Sequence, residues 1–130
     1  MSGTGGDRAA GKGGSVGLSR VWIRTLDDGL VRADHVVEVL AHQTAAFSGK
    51  PARWLLDVAT AGSQGAGTAT QWNVGASHRT LVQTADEPRG AAQRLARLMW
   101  ELDTRDAAGV LTVRRTPDGL DFDFEAFTAS

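Results

Sequence analysis

Val110-Leu-Thr-Val-Arg-Arg115, the turn Pro117-Asp-Gly119 and the return Leu120-Asp-Phe-Asp-Phe-Glu-Ala-Phe127 decide the fold class of this chain. Successive side chains alternate across a strand, so Leu120, Phe122 and Phe124 share one face while Asp121, Asp123 and Glu125 share the other. That period of two, behind a Pro-Asp-Gly turn, predicts a β-hairpin half sunk in a core. Arg114 is expected to pair across it with Asp123 or a neighbouring carboxylate. Immediately upstream the period changes. Ala91, Leu95, Leu98 and Leu102 recur at helical spacing, with Ala92 and Met99 widening the stripe. This predicts an amphipathic helix from about Asp86 to Ala108 with Pro88 in its first turn. Arg89, Arg94, Arg97, Glu101 and Arg105 take its other faces, and Gly109 is placed to end it in a left-handed cap.

Further upstream the pattern is again that of strands. Ser19–Leu26 is rich in β-branched and aromatic residues. Asp27-Asp28-Gly29 supplies a turn, with glycine suited to positive φ, and Leu30–Ala41 is the return strand, bent near Asp34. A loop over Gln43–Pro51 leads to a strand at Arg53–Ala59, the three forming an antiparallel meander. Ala59–Ala76 is poor in large apolar residues, and so long a stretch without pattern is usually functional or mobile. His78–Thr84 reads as a fourth short strand. The expected architecture is α+β: an antiparallel sheet of about 5–6 strands in hairpins, with one main helix in the C-terminal half packed on one face. Residues 18–130 form a single domain behind a disordered, glycine-rich tail at 1–17.

Composition bounds the chemistry. The chain has 130 residues, enough for one core without disulfides or metals. With no Cys, thiolate catalysis, iron–sulfur clusters and Cys-based zinc sites are excluded. The 14 Lys and Arg balance 15 Asp and Glu, which argues against non-specific nucleic-acid binding. Only Lys12 and Lys50 are lysine, a bias first attributable to a GC-rich coding sequence. No apolar run reaches the roughly 18 residues of a membrane span. Met1–Gly14 has no apolar signal-peptide region, so the expected compartment is the cytoplasm.

Motifs of catalysis are sparse. Gly6-Asp-Arg-Ala-Ala-Gly11-Lys12 imitates a phosphate loop, but Gly13 stands where Ser or Thr should be, and no strand or helix frames it. Asp121, Asp123 and Glu125 lie about 6.8 Å apart along a strand, too far for neighbours to clasp one calcium ion, and read as a solvated face. His35 and His42, seven apart on one predicted strand, point to opposite faces and do not share a metal. Ser77-His78 are adjacent strand residues that diverge, and Gly75-Ala-Ser-His-Arg79 breaks the nucleophile-elbow pattern. No catalytic, cofactor or metal residues are therefore expected. Trp22, Trp54 and Trp100 sit in apolar stretches and are expected partly or fully in the core. Trp72 differs, because Gln71-Trp72-Asn73 falls in the small-residue loop. There it either pins the loop to the core or projects as a binding anchor. Trp72, Gln71, Asn73 and His78 are the candidate interaction residues.

Val21-Trp-Ile-Arg-Thr-Leu-Asp-Asp-Gly-Leu-Val-Arg-Ala-Asp-His-Val-Val-Glu-Val39 resembles small uncharacterised actinobacterial proteins. These open with a W-[IV]-R-T-x-D-G hairpin followed by V-x-A-D-x-[IV]-V. The Leu95–Val113 stretch, a helix running into Gly-Val-Leu-Thr-Val, is similar in layout. The resemblance spans about half the chain, implies the same order of elements and implies no activity.

The favoured functional reading is a non-enzymatic protein-binding or assembly module, self-associating through an edge strand and the 59–76 loop. One rival is a small enzyme or ligand-binding protein with a pocket between sheet and helix, using His78, His35 or Asp57. A third reading is nucleic-acid binding through Arg94, Arg97, Arg114 and Arg115. No cofactor and no membrane partner are expected.

Overall fold

A computed structural model describes residues 16–46, 48–61 and 76–128. A 3-10 turn at Val16–Leu18 precedes β1 (Val21–Arg24) and β2 (Leu30–Arg32). A second 3-10 turn at Ala33–His35 leads into β3 (Val36–Gln43), β4 (Trp54–Ala61) and β5 (Ala76–Thr84). Helix α1 (Ala91–Thr104) and the hairpin β6 (Gly109–Thr116) and β7 (Gly119–Ala126) complete the chain. The fold is α+β, with one α-helix among the described residues, in the C-terminal half, and mostly antiparallel strands.

Among the described residues seven strands form two sheets, ordered β2-β1-β6-β7 and β3-β4-β5. The expected return strand Leu30–Ala41 is divided by the turn at Ala33–His35, where Arg32 grips Asp34 through Nε at 2.8 Å. Its first part pairs with β1 and its second with β4, so the expected meander is split between the two sheets. In the gap stands a parallel pairing, β1 with β6, with Val21 opposite Gly109 and Ile23 opposite Leu111. The sheets are also joined where the Leu26 N–H donates to the Thr80 carbonyl at 2.8 Å. A register shift in β5 between the partners of Leu56 and Asp57 brings Leu81 and Val82 both into the buried interior.

The inward faces of both sheets and the apolar stripe of α1 enclose one core. Val21, Ile23, Leu111, Val113 and Leu120 from one sheet meet Leu56, Val58, Leu81 and Val82 from the other, with Leu95 and Leu102 between. Phe122 and Phe124 form part of its half-buried rim, as the period of two in β7 predicts.

Helix α1 is shorter than expected at both ends. Gly90, in the left-handed region at φ 75°, precedes its first residue, and Pro88 lies in the preceding loop. At the other end the left-handed residue is Asp106 (φ 57°), not Gly109. The Ala107 N–H returns to the Leu102 carbonyl and the Asp106 N–H to that of Asp103, closing the helix with two reversed bonds. Asp tolerates this conformation because its short polar side chain bonds locally, and here Arg20 also holds its carboxylate at 3.0 Å. Gly109 is needed for another reason. A Cβ there would run into the Glu125 carbonyl and come within 2.8 Å of the Ala126 Cα, so glycine lets β7 close onto β6. In the first hairpin, likewise, Asp28 rather than Gly29 takes the positive φ, at 69°.

Gly17, assigned to the tail from sequence, is buried against Asp103 in the first 3-10 turn. The phosphate-loop lookalike, the rest of the tail and positions 62–75 lie outside the described residues. Among the described residues no helix is long and apolar enough to cross a membrane.

Candidate functional site

The three-stranded sheet carries a buried carboxylate. Asp57 sits mid-β4 on the face turned away from the core, yet it is only 4% exposed. Register places it between Leu40 of β3 and Thr80 of β5, with His42 diagonal to it. Thr80 Oγ1 donates to Asp57 Oδ1 at 2.7 Å, and His42 Nε2 lies 2.9 Å from Oδ2. A carboxylate only accepts, so the His42 ring donates from Nε2 and its Nδ1 faces away. A buried carboxylate is tolerated only when its lone pairs are met, and here the two strands that flank β4 meet them. His42 was not among the expected site residues. The signal that could have found it is an Asp inside the apolar run Arg53–Ala59, which demands a donor from a neighbouring strand.

The other expected residues are dispersed. His78 is exposed on β5, opposite Ala59 and on the same outward face as Asp57. His35 lies in the second 3-10 turn, 3.3 Å from Arg32 Nη2 and 3.8 Å from Asp34. Gln71, Trp72 and Asn73 lie outside the described residues. Among the described residues no group of three or more His, Asp or Glu is placed to hold a metal ion.

A groove of about 700 Å³ opens at the N-terminal end of α1, between the 84–91 segment and the β6–β7 turn. Asp86, Glu87, Arg89, Arg94, Arg115 and Asp118 are among its lining residues. His35, His42, Asp57 and His78 are not among the residues that line it. Arg94 is held by the Leu120 carbonyl at 2.9 Å and stands 4.9 Å from the centre of the Phe122 ring.

The tryptophans depart from expectation. Trp100 projects from α1 and is 62% exposed, because the buried stripe passes through Leu95 and Leu102 on the other side. Trp22 and Trp54 are half-buried and belong to neither the buried cluster nor its rim.

The four-stranded sheet ends in β7, and its outward row is acidic. Arg114 reaches Asp123 at 2.6 Å and Asp121 at 3.4 Å, the cross-hairpin pairing expected from sequence. The hydrogen bond from Arg114, reinforced by its charge, holds the Asp123 carboxyl below the usual range, although burial opposes this. Arg114 is raised in turn, first by the same hydrogen bond and then by the Asp123 charge. In the first hairpin the Thr25 hydroxyl donates to Asp27 at 2.5 Å and lowers its pKa, helped by Arg79 of β5. With Arg94 and Arg114 committed to these contacts and Arg97 beside Glu101 at 3.9 Å, three of the four arginines of the nucleic-acid reading already have acceptors.

The four terminal strands differ in how they end. β2 has three residues, and β3 carries a register shift between Val36 and Glu38 that leaves Val37 65% exposed. β5 is shifted too and is bridged by the bond from Leu26. β7 alone runs eight residues in unbroken register, from Gly119 opposite Thr116 to Ala126 opposite Gly109, with no described strand on its far side. A scan against protein families, a search of curated proteins and a search of solved structures each find no match to this chain.

Proposed function

We propose that this chain is a non-enzymatic protein-binding or assembly module that receives a partner strand on the open edge of β7. The observation that carries the reading is the contrast among strand ends. Shortness, register shifts and covering bonds are the usual means of blunting an edge, and beyond the Arg94 bond to the Leu120 carbonyl at its start β7 has none of them. An unblunted edge offers a row of backbone donors and acceptors to any chain that can lie beside it.

Amide hydrogen exchange on the purified chain, read beside light scattering, tests it. The outward amides of β7 should exchange fast in a monomer of 13.7 kDa. Slow exchange along β7 in a strictly monomeric sample would mean that the chain covers its own edge, and would sink the proposal. Slow exchange together with a doubled mass would identify the partner as a second copy.

A further inference from the structure

We infer that the edge of β7 selects an extended segment with basic side chains at alternate positions and apolar ones between, and that it disfavours pairing with its own copy. This rests on the strand-docking reading and adds the chemistry of the partner.

Side chains opposite one another on paired strands point to the same face and stand about 4.5–5.5 Å apart at Cβ. A strand laid along β7 therefore meets Asp121, Asp123 and Glu125 with every second residue. Arg114 serves the first two, and the Glu125 side chain makes no ion pair or hydrogen bond among the described residues. One guanidinium against three carboxylates leaves the row negative. Arg or Lys on the incoming strand gains a charge pair at each step, whereas Asp or Glu meets repulsion. On the opposite face the incoming strand lies beside Phe122 and Phe124, which are half-buried at the core's rim, so apolar residues there extend the core outward. Backbone bonds supply affinity at such an edge, and the alternate side chains supply choice.

The same row disfavours a second copy. Antiparallel pairing of two β7 strands about a two-fold axis keeps both outward rows on one face. Asp123 would then stand against Asp123, and Asp121 against Glu125. The carboxylates leave the edge open to a basic strand while discouraging β7 from pairing with itself.

The test uses the full chain and two blocked peptides as long as β7, one alternating valine with arginine and one alternating valine with glutamate. Binding is measured by calorimetry, and β7 amide exchange is measured in the same mixtures. The basic peptide should bind about tenfold or more tightly than the acidic one, slow the exchange of β7 amides, and weaken as salt is added. Glu125→Lys, which removes no contact of the fold, should narrow that ratio, and D121K/D123K/E125K, with its fold checked by circular dichroism, should reverse it. Equal protection of β7 by both peptides would overturn the basic preference while leaving the edge as a docking site. Binding without β7 protection, or no binding by either peptide, would overturn the inference. A doubled mass with β7 protection in the chain alone would overturn the exclusion of self-pairing but keep strand docking.

Discussion

Asp57 and Asp123 are the same residue type on strands of the same protein, both on faces turned away from the core, and they do opposite things. Asp57 is covered and its oxygens are taken by Thr80 and His42, so its chemistry is spent within the sheet. Asp123 is exposed beside Arg114, in a row that also contains Glu125, whose side chain has no partner among the described residues. Two hydrogen bonds and burial make a carboxylate part of the framework. Exposure at a strand edge makes it part of what a neighbour meets.

Asp57→Ala would break this contrast most strongly. It strips the acceptor from the Thr80 hydroxyl and the His42 ring, and should cost about 2–4 kcal/mol in a urea unfolding curve. Asp57→Asn should recover part of that loss by keeping the Thr80 bond. A loss for Asp57→Ala no greater than that for an exposed carboxylate would abolish the distinction between the two sites. Gly109→Ala comes next, because its Cβ would press on the Glu125 carbonyl. An overpacking cost of about 1–3 kcal/mol is expected, with faster amide exchange in β7. An unchanged midpoint would show that β7 is less firmly seated than its register suggests.

The third prediction concerns pH. The folded pKa of Asp123 lies below its unfolded value, so its pairing with Arg114 stabilises the protein above the ordinary carboxyl value of 3.8 and is lost as pH falls through the folded pKa. Arg114→Ala should therefore raise the Asp123 titration, followed by NMR, toward 3.8, and should lower stability at neutral pH but not at strongly acid pH. The same loss at both extremes would assign Arg114 a packing role instead. Glu125→Gln should do least, with stability within about 0.5 kcal/mol of the parent, because it removes no contact within the fold. A larger effect would place Glu125 with Asp57 rather than with Asp123.

What could be read from sequence was what is local. The alternation of Leu120, Phe122 and Phe124, the stripe through Leu95 and Leu102, and the pairing of Arg114 all depend on spacings of a few residues. What could not be read depends on partners far along the chain. The parallel pairing of Val21 with Gly109 leaves no mark on either segment. The meeting of His42, Asp57 and Thr80 requires the registers of three strands, one of them shifted. Trp100 shows a subtler limit. It lies beside Met99 in sequence, yet one residue along a helix is a turn of about 100°, enough to carry a side chain from rim to solvent.

The parallel pairing also sets the order in which the protein can be completed. β1 is synthesised before β3, β4 and β5 as well as β6, but it lies in the interior of its sheet, between β2 and β6. During translation at about 5–20 residues per second, β1 and β2 emerge as a bare hairpin and wait on the order of ten seconds for β6. Throughout that interval the side of β1 destined for β6 is as open as β7 is in the finished protein, but it belongs to a strand bearing arginine and tryptophan rather than carboxylates. The nascent chain is therefore open to wrong pairing at Val21–Arg24 until β6 emerges and takes its place beside β1.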